Sequence, residues 1–140
     1  TQEIFYNRPD VYFASLHGDP MEAFPHFLGH ADEKGIEDGE GFNLNCPLPR
    51  NTSYEQWRKS LIKVIDEVKT FSPDFFLISL GVDTFEHDPI SFFKLKSEDY
   101  FDVGRIISSL NLPTLFVMEG GYAINQIGIN TVNILKGFEE

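Results

Sequence analysis

Side chains that could bind a metal ion or transfer a proton are concentrated in one six-residue stretch. The stretch holds three carboxylates and an imidazole, at Asp83, Glu86, His87 and Asp88. It follows Phe75–Leu80, an apolar run of the kind that forms a strand buried on both faces. Ligands of open α/β sheets bind at the carboxyl ends of the strands, so Asp83 is a candidate ligand-binding residue. Two interpretations remain: a metal-binding loop, or a helix-capping loop whose acidic side chains face solvent.

Two further segments combine an apolar strand with a polar turn. Val11–Leu16 predicts a strand that ends at His17-Gly18-Asp19-Pro20, and Thr114–Met118 predicts a buried strand that ends at Glu119-Gly120-Gly121-Tyr122. Such strand ends are consistent with one shared ligand-facing edge. A glycine pair after a strand also resembles a phosphate loop. The nucleotide-binding alternative is disfavoured, because no lysine or Gly-x-Gly-x-x-Gly pattern accompanies the pair.

A second possible metal pair is weak. His26 and His30 are four residues apart and could share a helical face as zinc ligands. However, Gly29 disfavours a helix there, and no glutamate follows His26 in the manner of metalloproteases.

Helical periodicity and capping signals place helices between the strands. Tyr54–Phe71 has apolar residues at helical spacing after capping candidates at residues 51–53, and Ser97 is a candidate cap for the next helix. The remaining predicted segments are a helical turn at 2–6, a surface loop at 33–41, an edge strand at 42–49 and a final helix at 123–137. The alternation predicts an α/β fold, a mainly parallel sheet flanked by helices, within a single unit spanning residues 1–140.

Composition narrows the possible partners and compartments. The chain is 41% hydrophobic, contains 14 Phe and has a net charge of −11. This charge disfavours nucleic acid and would attract cations such as polyamines, although solubility alone also explains it. Cys46 is the only cysteine, which indicates a reducing compartment. With neither a membrane-length apolar stretch nor a signal-peptide pattern, we expect no membrane partner and a cytoplasmic location.

Three motifs carry a resemblance to a known family. Phe13–Pro20, Ser79–Phe85 with Asp88–Leu95, and Val117–Tyr122 closely resemble the acetylpolyamine amidohydrolases, which are bacterial members of the histone deacetylase superfamily. The resemblance extends in order over nearly all 140 residues. It implies an arginase/deacetylase-like fold, of which this chain would be the C-terminal portion. It also implies zinc-dependent hydrolysis of acetylated polyamines or similar acyl-amines.

The resemblance assigns roles to individual residues of the proposed catalytic site. Asp83 matches a ligand of the catalytic zinc, and Tyr122 matches the tyrosine that hydrogen-bonds the oxyanion. Gly120 and Gly121 let the backbone turn tightly enough to present that tyrosine and contact substrate.

Two further positions have structural alternatives. Ser15 and Leu16 match a site for a monovalent cation, potassium or sodium, although the Ser15 hydroxyl could instead be satisfied by backbone. Phe24 matches a residue that lines the substrate tunnel; the alternative is ordinary core packing.

Other motifs of the family are not found in this sequence. The chain contains neither an Asp-x-His pair nor adjacent histidines, and the resemblance implies that Asp-x-His lies just upstream of Thr1. Since a catalytic zinc normally has three protein ligands, we expect this chain alone to bind zinc poorly and to be inactive. Without the strand that carries Asp-x-His, an open apolar edge predicts a homo-oligomer. The alternative is a stand-alone, non-catalytic binding or assembly domain.

Overall fold

Two units, Thr1–Arg50 and Asn51–Glu140, make up the computed structural model, which describes all 140 residues. The first unit comprises α1 (Gln2–Phe5), β1 (Phe13–Gly18), one turn of 3-10 helix (Glu37–Gly39) and β2 (Asn43–Leu48). The second unit comprises β3 (Thr52–Ser53), α2 (Tyr54–Phe71), β4 (Phe76–Leu80), β5 (Phe93–Lys94), α3 (Asp99–Ser108), β6 (Thr114–Met118) and α4 (Ile124–Glu139). None of the helices has the length and apolar character needed to span a membrane.

All strand pairs are parallel, which confirms the predicted α/β class. The strands form three two-stranded sheets, β1 with β2, β3 with β5, and β4 with β6. Parallel strands need a crossover, and α3 lies in the connection from β4 to β6. The two-residue strands β3 and β5 were not predicted, because two residues are too short to show a periodicity.

Helix α2 begins and ends at the predicted residues. Ser53 Oγ accepts a hydrogen bond from the Gln56 N–H, and Gln56 Oε1 accepts one from the Ser53 N–H, which completes a capping box. The apolar stripe of α2 is buried and consists of Trp57, Leu61, Val64, Ile65 and Val68.

The predicted cap of α3 is wrong. Glu98, not Ser97, precedes the first helical residue, and its side chain makes no capping bond. Instead, Asp99 Oδ2 accepts a hydrogen bond from the Lys96 N–H at 2.7 Å. The carboxylate of Asp99, in the first turn, therefore stabilises the start of α3 in place of the predicted Ser97 cap.

The predictions that β4 is buried on both faces and that β6 is buried are also wrong. On one face, Phe116 packs edge-to-face against Phe138 of α4, with ring centroids 5.1 Å apart. On the other face, Leu77 and its register partner Leu115 are 61% and 58% exposed. In β4 the only polar residue, Ser79, lies on the exposed face with Leu77, but one serine in an otherwise apolar run is too weak a signal to predict which face is covered.

A carboxylate organises the interior of the first unit. Four groups donate hydrogen bonds to Glu33 Oε2 at 2.8–3.2 Å: the Gly29 and His30 N–H groups and the side-chain amides of Gln2 and Asn45. Glu33 was predicted to begin a surface loop, since acidic and glycine-rich segments are usually solvated. Its carboxylate is instead half-buried, and hydrogen-bond donors from three segments of the chain take the place of the water molecules that would solvate it.

Candidate functional site at the carboxyl ends of β4 and β6

Two connections of the second unit meet where β4 and β6 end; we name them the β4 loop (residues 81–88) and the β6 turn (residues 119–123). The Glu119 N–H donates to the Leu80 carbonyl at 2.9 Å, and the Val82 N–H donates to the Gly120 carbonyl at 2.9 Å. These bonds extend the pairing of the two strands beyond their ends. The loop that carries Asp83 and the turn that carries Tyr122 are thereby held side by side.

Helix α3 supports the β4 loop from within the unit. The Tyr100 hydroxyl donates to the Val82 carbonyl at 3.2 Å and lies 2.8 Å from Thr84 Oγ1. Tyr100 is 2% exposed, and this burial raises the pKa of its phenol. The two residues that flank Asp83 are therefore anchored to one buried side chain.

Asp83 occupies a cradle made by two glycines. A Cβ at Gly120 would overlap Asp83 Oδ2, and a Cβ at Gly81 would lie 2.9 Å from Oδ1. Burial and the charge of Asp88 raise the pKa of the Asp83 carboxyl. Desolvation and the neighbouring Asp88 charge both disfavour the ionised form of Asp83. A cation bound nearby would therefore stabilise that ionised form.

The other members of the acidic cluster do not join Asp83 in a metal site. His87 and Glu86 lie 3.9 Å apart, with the His87 side chain largely exposed. Asp88 is directed at backbone N–H groups instead. No group of three His, Cys, Asp or Glu in the structure is arranged to hold a metal ion. His26 also belongs to no metal site, and its Nδ1 forms a hydrogen bond with the Pro20 carbonyl at 3.0 Å.

Asp88 holds the β6 turn. Its Oδ2 accepts hydrogen bonds from the Tyr122 N–H at 2.6 Å and the Ala123 N–H at 2.9 Å, and its Oδ1 accepts one from the Ile90 N–H at 3.1 Å. These N–H groups precede α4, where a phosphate would bind in a nucleotide site. The Tyr122 and Ala123 N–H groups therefore already bind the Asp88 carboxylate and are not available to a phosphate, which argues against nucleotide binding.

Tyr122 is presented by this turn and not packed into the core. Its side chain is 53% exposed, and its hydroxyl makes no hydrogen bond within the chain. Gly121 has φ +149°, and a Cβ there would lie 2.7 Å from Val82 Cγ2. The predicted need for glycine beside Tyr122 thus has a conformational and a steric basis.

The first unit carries the residues predicted to bind a monovalent cation. Ser15 and Leu16 lie within β1 and pair with β2. Ser15 Oγ lies 2.8 Å from His17 Nδ1, and His17 Nε2 lies 2.8 Å from the Gly29 carbonyl. Because the Gly29 carbonyl can only accept, Nε2–H donates to it, and in the neutral ring the Ser15 hydroxyl then donates to Nδ1. The partner of Ser15 is therefore a side chain and not the backbone.

Phe24 is 88% exposed. Its side chain is not packed within the first unit, and its place in a substrate tunnel stays a prediction. An exposed phenylalanine remains available for contact with an apolar substrate chain, as the tunnel-lining prediction requires.

Sequence reasoning missed the roles of Asp88 and Tyr100. One signal for Asp88 was local: Asp followed by proline favours a turn in which the carboxylate bonds the N–H two residues on, as Ile90 does here. Its bonds to the β6 turn cross 34 residues, and no local pattern announces them.

Parallel strands that end at a cradled carboxylate and a glycine-presented phenol define an α/β domain with an acid and a hydrogen-bond donor at one sheet edge. The sequence profile of the histone deacetylase domain matches residues 1–138, and the chain belongs to this family.

Individual relatives agree with this family. The chain is 54% identical to an acetylpolyamine amidohydrolase of Mycoplana ramosa and 52% identical to acetylpolyamine amidohydrolase 2 of Pseudomonas aeruginosa, over 98% and 99% of its length. The crystal structure of acetylpolyamine aminohydrolase from Burkholderia pseudomallei superposes with a TM-score of 0.96 and 37% identity over 98% of the chain. The chain spans 40% of the length of each of these three proteins.

Proposed function

We propose that residues 1–140 form the C-terminal portion of one catalytic domain, in a zinc-dependent enzyme that removes acetyl groups from acetylated polyamines or related acyl-amines. The observation that carries the proposal is the placement of Asp83 and Tyr122 on two adjoining connections, joined by the Val82–Gly120 hydrogen bond. The acetylpolyamine amidohydrolases among the relatives support the substrate class. The net charge of −11 supports a cationic substrate.

Asp83 fits the role of one zinc ligand. Its carboxylate is partly desolvated, and Gly81 and Gly120 leave the room that this carboxylate occupies. A catalytic zinc takes three protein ligands, and the residues of this chain do not complete that set. Zinc, when bound in the intact enzyme, would polarise the amide carbonyl and acidify water.

Tyr122 would donate its hydroxyl proton in a hydrogen bond to the oxyanion that develops on the substrate carbonyl. Such a donor is effective when it is held in place before the reaction, because no reorganisation is then required. The free hydroxyl of Tyr122 and the hydrogen-bonded backbone beneath it support this role. Gly120 and Gly121 would let substrate approach the backbone closely.

The remaining assignments concern the first unit and the compartment. Ser15 and Leu16 would bind potassium or sodium, through the Ser15 hydroxyl and the Leu16 carbonyl. Phe24 would line the channel for the acyl-amine chain, which its exposure supports. We also propose a cytoplasmic enzyme, because a chain with a single cysteine cannot form an internal disulfide, which is typical of a reducing compartment.

The test compares this chain with the full-length enzyme that contains it. We expect the full-length enzyme to bind about one zinc per catalytic site and to hydrolyse acetylputrescine. Asp83→Ala should abolish zinc binding, whereas Asp99→Ala, which removes a carboxylate from the start of α3, should not. Elemental analysis of the purified protein and quantification of released acetate measure both. A full-length enzyme without zinc or turnover would refute the proposal.

The chain by itself is proposed to bind zinc poorly and to lack activity, since it supplies only Asp83. Stoichiometric zinc together with turnover in the 140-residue chain would contradict this expectation.

A non-catalytic binding or assembly domain is the second candidate. The exposed apolar face of the β4–β6 sheet favours it, since Phe75, Leu77 and Leu115 are available to a partner. The same comparison separates the two candidates. An assembly domain would show no zinc-dependent hydrolysis in any length of the protein.

A further inference from the structure

Asp88 has an environment that the proposed catalytic roles do not explain. It is 7% exposed, yet it forms no ion pair and accepts all of its hydrogen bonds from backbone N–H groups. Burying a carboxylate is unfavourable unless its oxygens are hydrogen-bonded. Two of its three donors lie 34 and 35 residues away, on both sides of the Cα of Tyr122. The carboxylate therefore restrains the peptide groups from which the Tyr122 side chain projects.

From this geometry we infer that Asp88 is a positioning residue, which holds the Tyr122 phenol in place through the backbone of the β6 turn; the inference rests on the proposed function of Tyr122. The phenol has no hydrogen bond of its own that would fix it. The two residues before it, Gly120 and Gly121, have the greatest backbone freedom of any residue type. Asp88 supplies the restraint that a glycine pair lacks.

The geometry requires a carboxylate and not merely a polar residue. Oδ2 receives two N–H groups and Oδ1 receives a third from Ile90. An asparagine has one carbonyl oxygen and one NH₂ group, so in either orientation its NH₂ would face an N–H donor. Asp88→Asn should therefore restore only part of the function lost in Asp88→Ala.

The first experiment measures kcat and KM for acetylputrescine in the full-length enzyme that contains this chain. We expect Asp88→Ala to lower kcat by roughly 10- to 100-fold with little change in KM. The reason is that a misplaced Tyr122 hydroxyl loses its hydrogen bond to the oxyanion, and this bond forms chiefly in the transition state. Asp88→Asn should lie between Asp88→Ala and the wild type. The matched control is Asp99→Ala, since Asp99 also accepts a backbone N–H but does so at the start of α3. Its kcat should equal that of the wild type.

A double-mutant cycle separates positioning from general destabilisation. If Asp88 acts through Tyr122, adding Asp88→Ala to Tyr122→Phe should lower kcat by no more than about twofold further. Fully multiplying effects would show that Asp88 acts independently of Tyr122 and would overturn the inference.

A second readout needs no activity. Hydrogen exchange of the Tyr122 and Ala123 amides should accelerate roughly tenfold or more in Asp88→Ala, while the amides of α3 keep their wild-type protection. Unchanged exchange at both amides would also overturn the inference. If the wild-type enzyme fails to hydrolyse acetylputrescine, the proposed function fails, and the exchange measurement still decides whether Asp88 holds the turn.

Discussion

The two units use a half-buried or buried carboxylate in different ways. In the first unit, Glu33 accepts four hydrogen bonds at one oxygen and joins three segments of the chain. In the second unit, Asp88 accepts backbone N–H groups at the edge of a sheet, next to a side chain with a free hydroxyl. The same interaction closes an interior in one unit and presents Tyr122 to its surroundings in the other.

The difference follows from how each unit obtains its stability. The buried apolar residues of the first unit are Ala23, Leu44 and Cys46, whereas the second unit contains the other 14 of the 17 buried apolar residues of the chain. Hydrophobic burial is the dominant favourable term in folding. The first unit therefore depends more on hydrogen bonds. The second unit is stable enough to keep a partly desolvated carboxylate, Asp83, and an exposed phenol, Tyr122, at the edge of its sheet.

The sharpest test of this contrast is Tyr122→Phe in the full-length enzyme. We expect turnover to fall roughly 10²- to 10³-fold, the range for removal of one oxyanion donor. Zinc content and unfolding midpoint should stay at wild-type values, because the hydroxyl has no partner within the chain. Near-wild-type turnover in this variant would show that the role assigned to Tyr122 is wrong.

Glu33→Gln should show the opposite behaviour, with a loss of stability. The NH₂ group of glutamine would face some of the four donors at Glu33, so we expect the free energy of unfolding to fall by about 2 kcal/mol. The control is Asp32→Asn, which changes the charge of the exposed neighbouring residue equally. Urea unfolding of this chain measures both variants. Equal losses would mean that only charge, and not the hydrogen-bond network, is involved.

The exposed face of the β4–β6 sheet should drive self-association of this chain. Leu77 and Leu115 form a cross-strand apolar pair on that face. We expect oligomers at micromolar concentration, and Leu77→Lys should raise the dissociation constant of these oligomers by about tenfold. Ile129→Lys, at an exposed apolar position of α4, is the matched control. A wild-type monomer in sedimentation velocity would contradict this expectation.

The smallest expected effect concerns the contact between α2 and α3. Asp102 Oδ2 accepts hydrogen bonds of 2.6 Å from the Tyr54 hydroxyl and from Arg58 Nε. Because the Arg58 and Asp102 side chains are 42% and 35% exposed, solvent screens the pair, and Asp102→Ala should cost only about 1 kcal/mol. Asp66→Ala, on the exposed side of α2, is the control.

The contribution of Asp102 should also depend on pH. Burial opposes ionisation of Asp102, but the hydrogen bonds from Tyr54 and Arg58 outweigh it and lower the pKa of its carboxyl below 3.8. A carboxyl with a lowered folded pKa binds fewer protons when folded than when unfolded. The contribution is therefore complete above the unfolded pKa and is lost as the pH falls through the folded pKa. Wild type and Asp102→Ala should converge in stability at the acid end of a pH series; a constant difference would refute this.

Local patterns in the sequence were sufficient for the elements that local forces build. The bounds and capping box of α2 follow from residues within one helical turn of each other, and β6 begins and ends at the residues that its apolar run predicts. The motif around Asp83 also identified the family before any geometry was available. These features need no distant contact, so they can be read along the chain.

Tertiary structure alone decided how the predicted site is held. The bonds from Asp88 to the β6 turn span 34 and 35 residues, and the support of Val82 by Tyr100 spans 18. The exposure of one face of β4 likewise depended on which side α4 packs against. Such contacts form only when distant segments of the chain meet. Their stabilising free energy depends on both residues of the pair, so neither residue predicts it alone. A local pattern can therefore name Asp88 and Tyr122, but only the folded chain joins them.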